Sequence, residues 1–285
     1  MQHLRTIDGG PLSALCFGCM QFGGTADPNA SRELFESARA ANLNFFDTAH
    51  VYNGGEAERL LSAFARQDRD SLMIATKVAY TGGSSRATIL KQFEESRVRL
   101  GLDVVDILYL HRWDHETPLE ETFETLAKLQ NDGKIRHIGA SNFAAWQVMK
   151  AQAVAVSMGT RIDVLQPMYS LVKRQAEVEI LPMAAAERIA VAPYSPLGSG
   201  LLTGKYLAGG TGRLSTDKRY AARYGQNWMR DTAQAFSRLA EEFGHDAATL
   251  AVAWVAHNPA VTAPIISARN TEQLAPSLKA LEISL

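Results

Sequence analysis

Four residues of different chemistry stand where short apolar runs give way to polar turns. Asp47 follows Phe45-Phe46, Tyr52 comes five residues later, Lys77 follows Ile74-Ala75-Thr76, and His111 follows Leu108-Tyr109-Leu110. Together they could manage a proton at a carbonyl oxygen. A phenol is a poor acid at neutral pH, and an adjacent ammonium such as Lys77 favours its phenolate. Asp47 could keep Lys77 charged and oriented, while a neutral His111 could donate to the carbonyl oxygen. Such a set protonates a forming alkoxide, or takes the proton from an alcohol in reverse. No side chain supplies a hydride, so a redox reaction here needs a cofactor. Each residue alone also has a plain structural reading: a helix cap for Asp47, a packed aromatic for Tyr52, a stem laid along a rim for Lys77, a satisfied rim histidine for His111. Their coincidence at the ends of three neighbouring units is what favours chemistry.

The elements that must position them alternate in type. Apolar runs at 12–17, 44–47, 72–78, 104–110, 135–141, 164–168, 189–194 and 261–266 read as strands. Stretches at 29–41, 56–66, 86–100, 119–131, 144–157, 176–188, 232–243, 247–257 and 271–281 read as helices. Between them, 198–225 is Gly-rich and basic with little periodicity. Eight strand–helix units in 285 residues, with no linker, predict an α/β fold. The expected form is a single-domain (β/α)8 TIM barrel over 1–285, with a long loop after strand 7 and little C-terminal tail. A doubly wound sheet would be expected to carry G-x-G-x-x-G after its first strand, and Gly18-Cys19-Met20-Gln21-Phe22-Gly23-Gly24 lacks that spacing. In a barrel the strand ends share one face, which would add Ser141, Asn142, Gln166, Tyr194 and Ser195 to the four.

Composition narrows the partners. Lys plus Arg number 29 and Asp plus Glu 30, a net charge of −1, so there is no general attraction to nucleic acid or an anionic membrane. Hydrophobic residues make up 46%, enough for a sizeable core. Cys16 and Cys19 are too few for a disulfide scaffold, and their place beside an apolar run favours two small buried hydrophobes over a redox or metal pair. Met1-Gln2-His3-Leu4-Arg5 has no apolar leader, and no run approaches the roughly 18 residues of a membrane span. The expectation is a cytoplasmic monomer acting on small molecules, with no metal.

Phe46-Asp47-Thr48-Ala49-x-x-Tyr52-x-x-Gly55-x-x-Glu58 resembles the signature of the aldo-keto reductase family. Ala75-Thr76-Lys77, Leu108-Tyr109-Leu110-His111, Gly139-Ala140-Ser141-Asn142-Phe143, Gln166, Tyr194-Ser195-Pro196-Leu197-Gly198 and Pro264-Ile265-Ile266-Ser267-Ala268-Arg269 match in family order. The resemblance runs from Leu12 to about Leu281. It implies a barrel that reduces aldehydes and ketones with NADP(H), with NAD(H) as the second choice. Tyr52 would be the general acid, Lys77 would lower its pKa, Asp47 would pair with Lys77, and His111 would orient the carbonyl. Ser141, Asn142 and Gln166 would hold the nicotinamide carboxamide, and Tyr194 would stack on its ring. Gly18, Met20 and Gln21 would lie beside the ribose, and Ser195, Pro196, Leu197, Gly198, Ser199 and Gly200 would follow the pyrophosphate.

This chain departs from the family pattern at the last strand, where Ser267-Ala268-Arg269 stands in place of a Lys-Ser pair. Arg269 would still offer a fork to a 2′-phosphate, with Ser267, Gln273 and Ser277 near the adenosine. Trp113 is the first candidate for a substrate-pocket wall, with Tyr52 and His111 at its floor and Met20, Tyr80 and Trp228 as lesser walls. The stretch 203–231 has the length and basic character of a loop closing over the cofactor, through Lys205, Arg213, Lys218, Arg219 and Arg223. These could equally be a solvated face. The short segment after the last helix predicts an open, permissive pocket. Three rivals remain: a barrel aldolase or lyase using Lys77 as a Schiff-base amine, a non-enzymatic NADPH-binding regulatory subunit, and a metal hydrolase built on His111, Asp114 and His115.

Overall fold

Side chains alternate across a strand, and here both faces are buried, so alternation decides which residues enter the barrel. The computed structural model describes residues 4–207 and 209–284. The reading of the extreme N-terminus as leaderless rests partly on residues 1–3, outside that range. The strands are β1 (Cys16–Gly18), β2 (Phe45–Asp47), β3 (Met73–Val78), β4 (Val105–Leu110), β5 (Ile135–Ser141), β6 (Val164–Gln166), β7 (Ala190–Val191) and β8 (Ile265–Ile266). All pair in parallel, in the order β7-β6-β5-β4-β3-β2-β1-β8. The ring closes just beyond β7, where Tyr194 bridges Ile265 in parallel and the Ile265 N–H donates to Pro193 O at 2.8 Å. The fold is the expected (β/α)8 barrel in a single domain.

The helices are α1 (Pro28–Ala40), α2 (Glu56–Ala65), α3 (Arg86–Leu100), α4 (Leu119–Asn131), α5 (Ala145–Ser157), α6 (Ile180–Ala186), α7 (Arg213–Thr216), α8 (Lys218–Tyr224), α9 (Asn227–Glu242), α10 (Ala247–Ala256) and α11 (Thr271–Leu278). Caps set several starts: the side chains of Asp27, Ser85, Asp246 and Asn270 accept from backbone N–H groups of α1, α3, α10 and α11. One apolar layer lies between sheet and helices and includes Phe17, Phe46, Ile74, Leu108, Leu165 and Val191. The other fills the barrel with Cys16, Phe45, Met73, Ala75, Ile107, Tyr109, Val164 and Ala190. Gly139 is glycine for a packing reason. A Cβ there would lie 2.3 Å from the Tyr109 ring.

The observed elements differ from the sequence expectation in extent. The runs at 12–17, 189–194 and 261–266 contribute only Cys16 and Phe17, Ala190–Val191 and Ile265–Ile266 to the sheet, and β1 runs one residue past its run to Gly18. Pro193 and Pro264 have no N–H to give a ladder, and the Val191 N–H donates to the Thr262 hydroxyl instead of a neighbouring strand. The helix expected at 176–188 splits into a short turn at Gln175–Glu177 and α6, whose first turn takes Pro182. The stretch expected to be irregular after β7 folds into a short turn at Gly198–Thr203 followed by α7 and α8. Helix α9 starts earlier than expected, because Met229 extends the buried face of Ala233 and Ala240. Among the described residues, no helix is long and apolar enough to cross a membrane.

Candidate active site

The inward parity that places Phe45, Ala75 and Tyr109 in the barrel also places Asp47, Lys77 and His111 there, one pleat nearer the C-terminal ends. On the other strands the same parity delivers Ser141, Gln166 and Tyr194. Register steps the first three up by one pleat per strand, Asp47 pairing with Ala75 and Lys77 with Tyr109, and sets Ser141 level with Gln166. Lys77 is fully buried, and its Nζ donates to Asp47 Oδ2 at 2.5 Å, to Thr48 O at 2.7 Å and to the Tyr52 hydroxyl at 3.4 Å. Asp47 is therefore an ion-pair partner within the barrel, and Lys77 lies beneath the cleft floor instead of along the rim. Gln166 Nε2 donates to the other Asp47 oxygen at 2.9 Å.

Burial works against the Lys77 ammonium, yet Asp47 and the Tyr52 hydroxyl outweigh it, and its pKa is raised. Burial pushes the Tyr52 phenol upward, and the Lys77 charge pulls it back only in part. The lysine thus opposes a rise and does not produce a net lowering in this environment. His111 is held neutral, its pKa depressed to about 3 by burial first and then by Lys77 and Arg112. Its Nδ1 is buried without a partner, and its ring meets that of Tyr52 edge-on at 5.9 Å.

Tyr52 lies on a turn beyond β2, not on a strand, and needs its own fastening. The Asn53 side chain donates to Met20 O at 3.0 Å and Phe22 O at 2.7 Å. Arg99, from α3, donates to His50 O at 3.1 Å and pairs with buried Glu58 at 3.2 Å, and Glu58 accepts from Thr76 of β3 at 2.6 Å. Gly55 has φ +92°, and a Cβ there would lie 2.5 Å from the Arg99 guanidinium. The sequence reading used Gly55 and Glu58 only as signature positions and missed Arg99 and Asn53. Its one local partner, Glu95, does not mark it for this role, because the groups through which Arg99 ties the turn are 41 and 49 residues away.

A cleft of about 1360 Å³ opens over this cluster. Gly18, Met20, Gln21, Asp47, Tyr52, His111, Ser141, Asn142, Gln166 and Tyr194 line it, and so do Ser195, Pro196, Leu197, Ser199, Gly200, Ser267, Arg269 and Gln273. Gly198 and Ser277 lie behind that lining, both buried. Trp113 is not brought to the cleft wall but packs at 5.2 Å on Phe143 and 5.7 Å on Trp146. Trp228 stands exposed on α9, away from the lining, whereas Tyr80 reaches it. From the basic stretch, Lys205, Arg213, Arg219 and Arg223 face the cleft. Sequence reasoning passed over Arg112 and Tyr220, which also line it. The signal for Arg112 was its place directly after His111.

Several linings are tied to one another. Ser141 donates to Gln166 O at 3.0 Å, Asn142 Nδ2 to His111 O at 2.9 Å, and the Tyr194 hydroxyl to Asn142 Oδ1 at 2.7 Å. Asn142, Ser195 and Ser199 have φ near +60°, a costly conformation for residues with a Cβ that concentrates at functional sites. The Ser267 hydroxyl is buried and unpartnered. Cys16 and Cys19 are free and buried, with thiols pushed up by burial, and among the described residues no group could hold a metal ion. Asp114 accepts from Ser84, Thr117 and the Glu116 N–H, which hold it at about 2 despite burial.

Residues 14–285 match the model of the aldo/keto reductase family. The chain belongs to that family. It is 36% identical to "Uncharacterized oxidoreductase YrpG" of Bacillus subtilis (strain 168), over 96% of this chain and 89% of the relative. It is 33% identical to "Probable voltage-gated potassium channel subunit beta" of Oryza sativa subsp. japonica, over 95% and 88%. It is 32% identical to "Norsolorinic acid reductase stcV" of Emericella nidulans, over 99% and 77%. The family and the two oxidoreductase names support an oxidoreductase.

Proposed function

We propose that this aldo/keto reductase uses NADPH to reduce aldehydes and ketones to alcohols, reversibly, with Tyr52 as proton donor. The observation that carries the reading is the buried Asp47–Lys77 pair, with Lys77 Nζ 3.4 Å from the Tyr52 hydroxyl at the floor of a cleft. The residues present suit a dinucleotide. The Ser267 hydroxyl, unpartnered among the described residues, and the Arg269 fork suit the adenosine phosphate, and the small residues Ser199 and Gly200, both left-handed and lining the cleft, would let the backbone come close to the pyrophosphate. Ser141, Asn142 and Gln166 would hold the carboxamide, and Tyr194 would support the ring. NADPH is preferred over NADH for Arg269. Bound nicotinamide supplies the hydride that side chains lack.

The chain's own residues do the rest. Neutral His111 positions the carbonyl oxygen, and the Tyr52 hydroxyl gives it a proton as negative charge develops. The phenolate left behind faces the Lys77 ammonium, which Asp47 and Thr48 O hold charged. The same contacts disfavour the Schiff-base alternative, because an amine must be neutral and reachable to attack. The relatives named as channel subunits favour a second reading, an NADPH-binding regulatory subunit with little turnover. The test is NADPH oxidation across a panel of aldehydes and ketones. Carbonyl-dependent oxidation that drops about 100-fold or more in Tyr52→Phe is expected. Cofactor binding without carbonyl-dependent turnover favours the regulatory reading, and equal activity in Tyr52→Phe removes the proton-donor assignment.

A further inference from the structure

The cofactor-directed residues come from one arc of the barrel. Ser141 and Gln166 lie at the ends of β5 and β6 and Tyr194 just past β7, while Ser267 and Arg269 follow β8 and Gly18 ends β1. The strand order places β3 and β4 across the mouth from the β7–β8 junction, where the phosphate groups would lie. Arg112 and Tyr80 rise from the loops after β4 and β3, on the far side of Tyr52 and His111. The Arg112 guanidinium sits 5.2 Å over the Tyr80 ring, and Tyr80 meets the His111 ring at 4.8 Å. Arg112 is exposed to the cleft and has no carboxylate partner among the described residues. The neighbouring cation on α8, Arg219, is already held by Asp217 at 2.8 Å. Arg223, also without a carboxylate partner among the described residues, lies over Tyr220 and beside Tyr194, so Arg112 is the cleft arginine that acts on His111, flanked by the Tyr80 ring.

We propose that the physiological substrate is a flat carbonyl compound bearing a carboxylate, and that Arg112 is the receptor for that carboxylate. A guanidinium fork matches a carboxylate in two parallel hydrogen bonds, and the Tyr80 ring, 39% exposed between Arg112 and His111, offers apolar surface for the body between the two ends. With Arg219 neutralised by Asp217 and Arg223 turned to Tyr220 and Tyr194, the one guanidinium beside His111 suits a monoanion better than a dianionic phosphate. The placement also separates two electrostatic tasks. Arg269 serves the cofactor, and Arg112 reads the substrate.

The inference rests on the reductase reading, and its test separates the two. The matched probes are para-carboxybenzaldehyde, its neutral methyl ester, and para-formylphenyl phosphate, compared by kcat/KM with NADPH. Wild type should favour the carboxylate over the ester by about tenfold or more, and Arg112→Met should bring that ratio to about one. Raised salt should shrink the wild-type ratio, since the site is open to solvent. Equal turnover of acid and ester in wild type, a ratio unchanged in Arg112→Met, or a preference for the phosphate would overturn the assignment while leaving the reductase intact. Calorimetry of para-(hydroxymethyl)benzoate and its methyl ester on the NADP⁺-loaded protein gives the same comparison without turnover. Tighter binding of the acid by about tenfold, lost in Arg112→Met, supports the receptor even if no aldehyde is reduced. Equal binding overturns it.

Discussion

Lys77→Met offers a stringent check on how the cluster is held. In the native protein the Asp47 carboxylate, 3% exposed, is balanced by the Lys77 ammonium at 2.5 Å and by Gln166 at 2.9 Å. Methionine keeps most of the side-chain volume and removes the charge, leaving a buried carboxylate with one neutral amide donor. Breaking a buried pair from one side costs about 3–5 kcal/mol, because the surviving charge stays desolvated. Asp47→Asn should also destabilise, since it leaves the ammonium with Thr48 O and a neutral neighbour. The double variant Asp47→Asn/Lys77→Met removes both charges and keeps an amide where Gln166 can bond. It should recover about 2–3 kcal/mol relative to the sum of the singles. The assay is urea unfolding at neutral pH followed by tryptophan fluorescence, with the slope checked for constancy. A cost below about 1 kcal/mol for Lys77→Met, or strictly additive singles, would refute the picture of a dry ion pair beneath Tyr52.

Two further outcomes follow from groups around that pair. His111 is kept neutral by burial, with its pKa moved from 6.5 to about 3, so acid favours the unfolded chain, which binds the proton more readily. Stability from this residue is complete above about pH 6.5 and is lost as pH falls toward 3. Between pH 7 and 5 it should contribute a loss of about 2 kcal/mol that is absent in His111→Gln, read from urea midpoints at both pH values. Gly55→Ala should destabilise by about 1–3 kcal/mol, because alanine is strained at φ +92° and its Cβ would lie 2.5 Å from Arg99. A thermal or urea midpoint equal to wild type would mean that Arg99 is free to move aside.

The barrel was legible in the sequence because its signal is repetitive: eight apolar runs, each followed by a helix, with turn residues between. The inward set was legible for a related reason. A polar residue one pleat beyond an apolar strand position, as at Asp47, Lys77 and His111, has few places to go except the mouth of the barrel. Strand ends were less legible, because Pro193, Pro264 and the Thr262 hydroxyl redirect hydrogen bonds that apolarity alone would assign to the ladder. The placement of Trp113 was not legible at all. Its ring turns to Phe143 and Trp146, a choice made by helix α5 and its loop, far along the chain. Local pattern also could not show that burial outweighs Lys77 at the Tyr52 phenol, since burial is a property of the assembled barrel.

The two classes of active group differ in what holds them. Asp47, Lys77, Ser141 and Gln166 sit on strands, where ladder hydrogen bonds and register fix their positions as a consequence of folding. Tyr52 sits beyond the sheet, so its geometry must be set by contacts outside the strand ladder. Those contacts are the Asn53 amide on the β1 loop and Arg99 on His50 O and Glu58, with Gly55 leaving room for Arg99. Glu58 also reaches Thr76, the neighbour of Lys77, so the turn that carries the phenol and the strand that carries the ammonium are tied through one buried carboxylate. The spacing of tyrosine to lysine is therefore maintained from outside the barrel as well as from within it. Residues that never touch the cleft, Gly55, Glu58 and Arg99 among them, should thus set how well the phenol and the ammonium meet.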